Sequence, residues 1–339
     1  MTHENLLTVD NVRVYLGSTR GVVHAVDDVS FRLRRGEALG VVGESGSGKS
    51  VMARAIMGLR PKRSALSGSV VFKGQELVGM PRKRLREIWG PQIAMVFQDP
   101  GRSLNPVVRV ERQLTEGMRK HLGVSRSEAH SRALQLLHEV GVPDPERRLS
   151  NYPHEMSGGM RQRVMIAVAL ACEPDLLIAD EPTTALDVTV QRQILDLLRR
   201  VQQQRSMSMI LISHDLAVVA GRTDRTAVMY AGRLAESGAT REMFARPQHR
   251  YTEALLQATP SIDHERHSPF RLIPGSLPDP TTPAAGCRFA PRCGAATDIC
   301  RAETPPMAAV GADHAAACFH PVDDGIPQLA TVGGLNDGR

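Results

Sequence analysis

GESGSGKS (Gly43–Ser50) lies between a short apolar run, EALGVV (37–42), and a stretch whose apolar residues fall at helical spacing, KSVMARAIMGL (49–59). Glycine, four residues, then Gly-Lys-Ser is the pattern of a loop that holds phosphate. Its glycines permit backbone conformations that turn successive N–H groups toward one point. A helix starting there brings its positive dipole end beneath the anion. Gly43, Glu44, Ser45, Gly46, Ser47, Gly48, Lys49 and Ser50 are therefore the candidate nucleotide ligands. Lys49 is expected on the β- and γ-phosphates and the Ser50 hydroxyl on Mg²⁺. The loop leaves open what the nucleotide is used for.

The surrounding composition narrows the choice. Hydrophobic residues make up 42% and charged residues 23% of 339, the balance of a globular protein with one large domain and a smaller one. The longest apolar run, VMIAVALAC (164–172), is too short to span a bilayer. MTHENLLTVD lacks the basic and apolar regions of a signal peptide, so a cytosolic location is expected. A net charge of +6 invites a nucleic-acid reading, but there are only one Trp, four Tyr and seven Phe. No basic stretch is interleaved with aromatics for base stacking. No nucleic-acid partner is expected.

Along the chain, LLTVDNVRVYL (6–16) and VVHAVDDVSFRL (22–33) alternate apolar and polar residues, as paired antiparallel strands do. SGSVVFKGQEL (67–77) reads as a hairpin turning at Lys73-Gly74, and another is expected near 228–238. Strands then alternate with helices, which predicts a parallel sheet covered on both faces. Residues from about 105 to 165 interrupt that alternation with helices alone. The fold expected is α/β, of the P-loop NTPase type. It has a parallel sheet core, an antiparallel β subdomain, an inserted α-helical subdomain at about 105–165 and a small Cys-rich C-terminal module. The domain boundary is expected at 240, with 1–240 binding nucleotide and 241–339 forming the module.

DLLIADE (175–181) is the second phosphate-site element, a buried strand ending in acids. Asp180 can hold Mg²⁺ and Glu181 can polarise an attacking water. Gln98 in VFQDP and His214 in LISHD stand at the ends of two more strands, within reach of metal and γ-phosphate. MSGGMRQR (156–163) opens a helix with Ser157, Gly158 and Gly159, a second anion-binding N-terminus more than 100 residues from the first. One nucleotide does not need both. Two chains facing head to tail would use both, each completing the other's site.

These segments, in this order, resemble the ATP-binding subunit of an ABC transporter. By motif, the resemblance makes Gly43–Ser50 Walker A, Gln98 the Q-loop and Ser157–Gly159 the signature core. Asp180 and Glu181 become Walker B, Asp187 the D-loop and His214 the switch histidine. Gln98 joins Ser50 and Asp180 at Mg²⁺, and Gln98, Glu181 and His214 are the catalytic set. Tyr15 falls where an adenine-stacking aromatic is usual. VGESGSGKSVMARAIMGL, FQDPGRSLNPV, HRYTEALLQATP and IPGSLPDP…GCRFAPRC extend the resemblance to dipeptide/oligopeptide importer ATPases over roughly residues 6–320. The resemblance implies two transmembrane permeases, an extracytoplasmic substrate-binding protein and work at the cytoplasmic face of the membrane. SGGM for SGGQ resembles one of two paired ATPase types, which implies a second, non-identical ATPase subunit. Cargoes such as nickel or oligosaccharides are the alternative. A non-transport ATPase acting on DNA or ribosomes fits less well, since neither tandem nucleotide domains nor a long coiled-coil insertion is present.

Four of five cysteines, Cys287, Cys293, Cys300 and Cys318, fall near the C-terminus with five, six and seventeen residues between them. In a cytosolic chain such a cluster suggests metal more than disulfides. Zinc sites show tighter pairs, whereas Cys₄ iron–sulfur ligation varies in spacing. The resemblance points to [4Fe–4S], with zinc as the alternative. Cys172 reads as a small buried hydrophobe. ATP binding is expected to be independent of the four cysteines, because the P-loop core uses other residues.

Overall fold

The two alternating stretches near the N-terminus pair antiparallel as β1 (Asn5–Ser18) and β2 (Gly21–Arg34). β3 (Ala38–Val42) leads through the glycine loop into α1 (Lys49–Ile56). β4 (Ser64–Phe72) and β5 (Gln75–Glu76) form the expected hairpin. Its turn residues Lys73 and Gly74 both take positive φ, 49° and 78°, the backbone twist that matches a tight hairpin. These strands make one antiparallel sheet in the order β2-β1-β4-β5, followed by α2 (Arg82–Ile88).

The computed structural model describes residues 5–59, 61, 63–184, 186–259, 273–282 and 284–322. The end of the expected C-terminal module, 323–339, lies outside the described residues. β6 (Ile93–Val96) ends two residues before Gln98. It stops there because Asp99 caps α3 (Pro100–Ser103), accepting the Gly101 N–H at 2.8 Å with Pro100 at the first helical position. α4 (Val110–His121), α5 (Arg126–Glu139) and α6 (Pro145–Ser150) occupy the stretch that reads as helical insertion. α7 (Gly158–Leu170) begins inside that stretch and runs past its expected end. β7 (Leu176–Asp180), α8 (Val188–Gln204), β8 (Ser208–Ser213) and α9 (Leu216–Val219) restore the alternation. β9 (Arg225–Tyr230) and β10 (Arg233–Ala239) are the second expected hairpin.

After β10 come α10 (Thr240–Ala245), α11 (Arg250–Ala258) and α12 (Asp298–Ala302), then β11 (Ala308–Gly311) and β12 (His314–Ala316). The central sheet runs β11-β12-β10-β9-β3-β8-β7-β6, parallel from β9 through β6. Its middle strands are apolar without alternation because both faces are covered. Leu39, Val41, Leu176, Ile178, Ile210 and Ile212 enter the core shared with α1 and the antiparallel sheet. Their neighbours Ala38, Val42, Leu177, Ala179, Met209 and Leu211 enter the core shared with α4, α5, α7 and α8. A period of two along each strand thus feeds two cores.

The chain beyond residue 240 is joined to this sheet rather than set apart from it. β12 pairs with β10 through Glu236↔Ala316 and Ser237↔Ala315. The junction is pinned by Glu236, a fully buried carboxylate. It accepts from His314 Nε2 (2.6 Å) and from the N–H groups of Gln248 (2.8 Å) and His249 (2.9 Å). A buried charge satisfied this fully is costly to strip of any one partner. His249 is also buried. Its Nδ1 accepts the Tyr251 N–H at the start of α11, and burial lowers its pKa to about 4, so the ring is neutral.

Candidate active site: a cleft at the ends of the parallel strands

Gly43 and Gly48 shape the loop because no other residue fits. Gly43 has φ 152°, and a Cβ there would stand 2.1 Å from the Met229 carbonyl oxygen. Gly48 has φ 98°, and its Cβ would stand 2.2 Å from the Ala25 oxygen. The tight turn starts α1 at Lys49 and buries that side chain to 4% exposure. Its ammonium donates to the carbonyls of Gly43 (2.7 Å) and Glu44 (2.9 Å) and to Ser47 Oγ (3.3 Å). Burial pushes the Lys49 pKa down, against the opposing pull of Glu181, Asp180 and Glu44.

β7 delivers the acids. Ser50 Oγ donates to Asp180 Oδ1 at 2.7 Å, so two of the three expected Mg²⁺ ligands are in contact. Burial raises the Asp180 pKa, an effect the Ser50 hydrogen bond opposes. Glu181 follows with φ 45°, a left-handed conformation that costs an ordinary residue on the order of 1 kcal/mol. Its N–H donates to the Ile212 carbonyl at 3.1 Å, which fixes the turn. Three groups meet its Oε2: Gln98 Nε2 at 3.0 Å, Thr184 Oγ1 at 3.2 Å and His214 Nδ1 at 3.4 Å. The structure thus gathers Gln98, Glu181 and His214 from the ends of three strands. Thr184 is an addition that no spacing in the sequence signalled.

The cleft they border has a volume of about 530 Å³ and is walled by Ser45, Gly46, Gly48, Lys49 and Ser50, with Gln98 and Glu181 opposite. Tyr15 is not among its walls. The Tyr15 hydroxyl donates to Asp27 Oδ1 (3.2 Å), a carboxylate also bonded by Arg233, and its ring lies 4.2 Å from that of His24. It is His24, with Leu16, that faces the cleft. Leu277, Pro278, Asp279 and Pro280 close the same side, held by the His24 N–H donating to the Pro280 carbonyl at 2.9 Å. Nothing in the spacing placed that C-terminal segment beside the loop.

Ser157, Gly158 and Gly159 lie away from this cleft. Ser157 caps α7 by accepting the Met160 N–H, and Asp187 caps α8 by accepting the Val190 N–H at 2.9 Å. A Cβ on Gly159 would meet Val190 at 3.2 Å, so the two helix starts pack together. Ser157 and Gly158 are exposed. Their amide cradle is turned to a surface of the chain, not to its own P-loop.

Cys287, Cys293, Cys300 and Cys318 line one small cavity, closed by Phe289, Phe319 and His320 among others. Burial raises the thiol pKa of Cys287, Cys293 and Cys318. Among the described residues, however, no group of three or more His, Cys, Asp or Glu side chains has the geometry to hold a metal ion. Neither the iron–sulfur nor the zinc expectation is supported by that geometry. Cys172 is buried, as expected, and a Cβ added at Gly117 would stand 3.3 Å from its Sγ.

A phosphate loop facing an acid-ended parallel strand, with a carboxylate beside it placed to polarise a water, defines the P-loop nucleoside-triphosphatase class. Comparison with known proteins narrows this. Residues 26–184 match the family described as ABC transporter, and 235–300 match the oligopeptide/dipeptide transporter C-terminal region. The chain is 48% identical over 319 residues to the oligopeptide transport ATP-binding protein OppD of Salmonella typhimurium, covering 94% of this chain and 95% of that one. It is 46% identical over 327 residues to the dipeptide transport ATP-binding protein DppD of Escherichia coli, covering 96% and 99%. Among solved structures, the ATP-binding cassette MJ0796, a dimer in a post-hydrolysis state with ADP and Pi, superimposes with a TM-score of 0.63. It is 27% identical and covers 69% of this chain and 99% of that one. The chain belongs to the ABC transporter family, in its oligopeptide/dipeptide transporter branch.

Proposed function

We propose that the chain is the ATP-hydrolysing subunit of a membrane importer, powering uptake of di- and oligopeptides through separate permeases from the cytoplasmic face. The observation that carries this reading is the meeting of Gln98, Thr184 and His214 on Glu181 beside the phosphate loop. Among the described residues no helix is long and apolar enough to cross a membrane, so passage of cargo falls to other subunits. The cargo class follows relatives named for oligopeptide and dipeptide transport. A strain lacking this chain should lose uptake of labelled di- and oligopeptides and keep nickel and oligosaccharide uptake. Retained peptide uptake with lost nickel uptake would reverse the cargo assignment.

In this reading residues 43–50 cradle the ATP phosphates, and Lys49 turns from the loop carbonyls to the β- and γ-phosphates. Ser50, Asp180 and Gln98 form an all-oxygen donor set suited to a hard cation. Mg²⁺ bound there supplies charge neutralisation on the phosphate oxygens. Glu181 accepts a hydrogen bond from the attacking water and aims the water oxygen at the γ-phosphorus. His214 contacts the γ-phosphate, and Gln98 links the metal side to Glu181. Ser157–Gly159 serve a partner's ATP, with Asp187 at the seam. The partner is a second, non-identical ATPase subunit, and two permeases and an extracytoplasmic substrate-binding protein complete the assembly. The nucleotide-binding domain spans 1–240, with its helical insertion at about 105–165, and 241–339 form the Cys-rich module.

The four-cysteine cavity is read as a [4Fe–4S] site, supported by four thiols around one small space. Protein purified without oxygen should be brown and carry about four irons per chain. Cys→Ser at 287, 293, 300 or 318 should lower iron, and Cys172→Ser should not. Stoichiometric zinc without iron would replace the cluster, and metal-free protein from iron-replete cells would remove the site.

A further inference from the structure

Glu44, the second residue of the phosphate loop, is held by the C-terminal part of the chain from two sides. Arg292 meets its carboxylate with both prongs, Nη1 to Oε2 at 2.7 Å and Nη2 to Oε1 at 3.0 Å. The Arg292 side chain is only 5% exposed. Its remaining donors are engaged by the carbonyls of Pro274 (2.7 Å) and Ile273 (3.4 Å) and the Tyr230 hydroxyl (3.3 Å), so the fork is fixed in orientation. The second hold is on the backbone: the Glu44 N–H donates to the hydroxyl of fully buried Tyr251, at 2.9 Å.

The same stretch reaches the far wall of the cleft. Arg288 donates to Asp27 and to the Ala231 carbonyl. The next residue, Gly232, donates its N–H to the Ser47 carbonyl at 2.9 Å. Arg288 and Arg292 follow Cys287 and precede Cys293 respectively, so both arginines rise from the wall of the thiol cavity.

We propose that Arg292 is a positioning residue for the phosphate loop, and that through it the nucleotide site depends on the integrity of the cysteine cavity. The link runs through Lys49. Two of its three contacts are the carbonyls of Gly43 and Glu44, so any drift of Glu44 moves the cradle in which the ammonium and the phosphates meet. A two-pronged Arg–carboxylate pair with a buried guanidinium is directional, and it fixes Glu44 in rotation as well as position. Lysine cannot reproduce the fork. The inference rests on the reading of residues 43–50 as an ATP-binding loop.

Binding of a fluorescent ATP analogue with Mg²⁺ to the full chain tests it, with melting temperature measured in parallel. The native chain must bind, and if it does not, the loop reading itself fails. Given native binding, Arg292→Ala should weaken the Kd about tenfold or more, and Glu44→Gln should do the same. The double variant should be no weaker than either single one, because both remove one contact. Arg292→Lys should weaken the Kd more than twofold but less than Arg292→Ala while melting like the native chain, which separates positioning from unfolding. Cys293→Ser should weaken binding in the native background and add nothing to Arg292→Ala. An Arg292→Lys or Arg292→Ala Kd within twofold of native overturns the positioning role. Additive losses in the Glu44/Arg292 double variant overturn the shared contact. A Cys293→Ser effect of equal size in both backgrounds, or none, overturns the link to the cysteine cavity.

Discussion

Glu181→Gln is expected to leave Mg-ATP binding close to native and to lower turnover by about 10²–10⁴-fold in the assembled complex. The amide keeps the size of the carboxylate and can still meet the groups around it, so the cradle at 43–50 is undisturbed. It cannot take the charge that builds on the attacking water. The surroundings argue for this role: Gln98, Thr184 and His214 converge on one carboxylate oxygen, and the residue stands in a left-handed conformation. A strained carboxylate held by three partners is positioned, not incidental. Equilibrium nucleotide binding and steady-state hydrolysis, measured on the same preparation, check it. Turnover within a few-fold of native would remove Glu181 from the chemistry.

Lys49→Ala is expected to act earlier, weakening ATP binding itself by about ten- to a hundredfold, the equivalent of one lost charge-assisted contact. The ammonium is buried and has Gly43, Glu44 and Ser47 as its only contacts within the loop. Removing it deletes a donor to the phosphates and leaves two loop carbonyls without their partner. Titration with a nucleotide analogue measures the loss. A native Kd with reduced turnover would assign Lys49 to the transition state alone.

The elements legible in the sequence were those whose physics is local. Apolar strands 38–42, 176–180 and 208–213 declared themselves because both faces are buried. The phosphate loop declared itself because Gly43 and Gly48 have no alternative. What was illegible depends on contacts between distant segments. Tyr15 carries the right ring at a plausible place, but Asp27 draws its hydroxyl away and His24 takes the cleft. The expected independence of the P-loop from the cysteine region fails to allow for Arg292 and Tyr251, which reach Glu44 across more than 200 residues. The composition change near 240 suggested a separate module, yet β12 adds to the central sheet, because Glu236 and His314 need each other when buried.

A shared site completed by the Ser157–Gly159 helix start is tested by the ATPase rate of the purified chain alone, across a wide range of protein concentration, compared with the chain assembled with the proposed second ATPase subunit and permeases. Near-background hydrolysis is expected at low concentration and full activity only in the assembly, lowered by Glu181→Gln as above. Robust hydrolysis by the monomer, independent of its concentration, would contradict the shared-site mechanism.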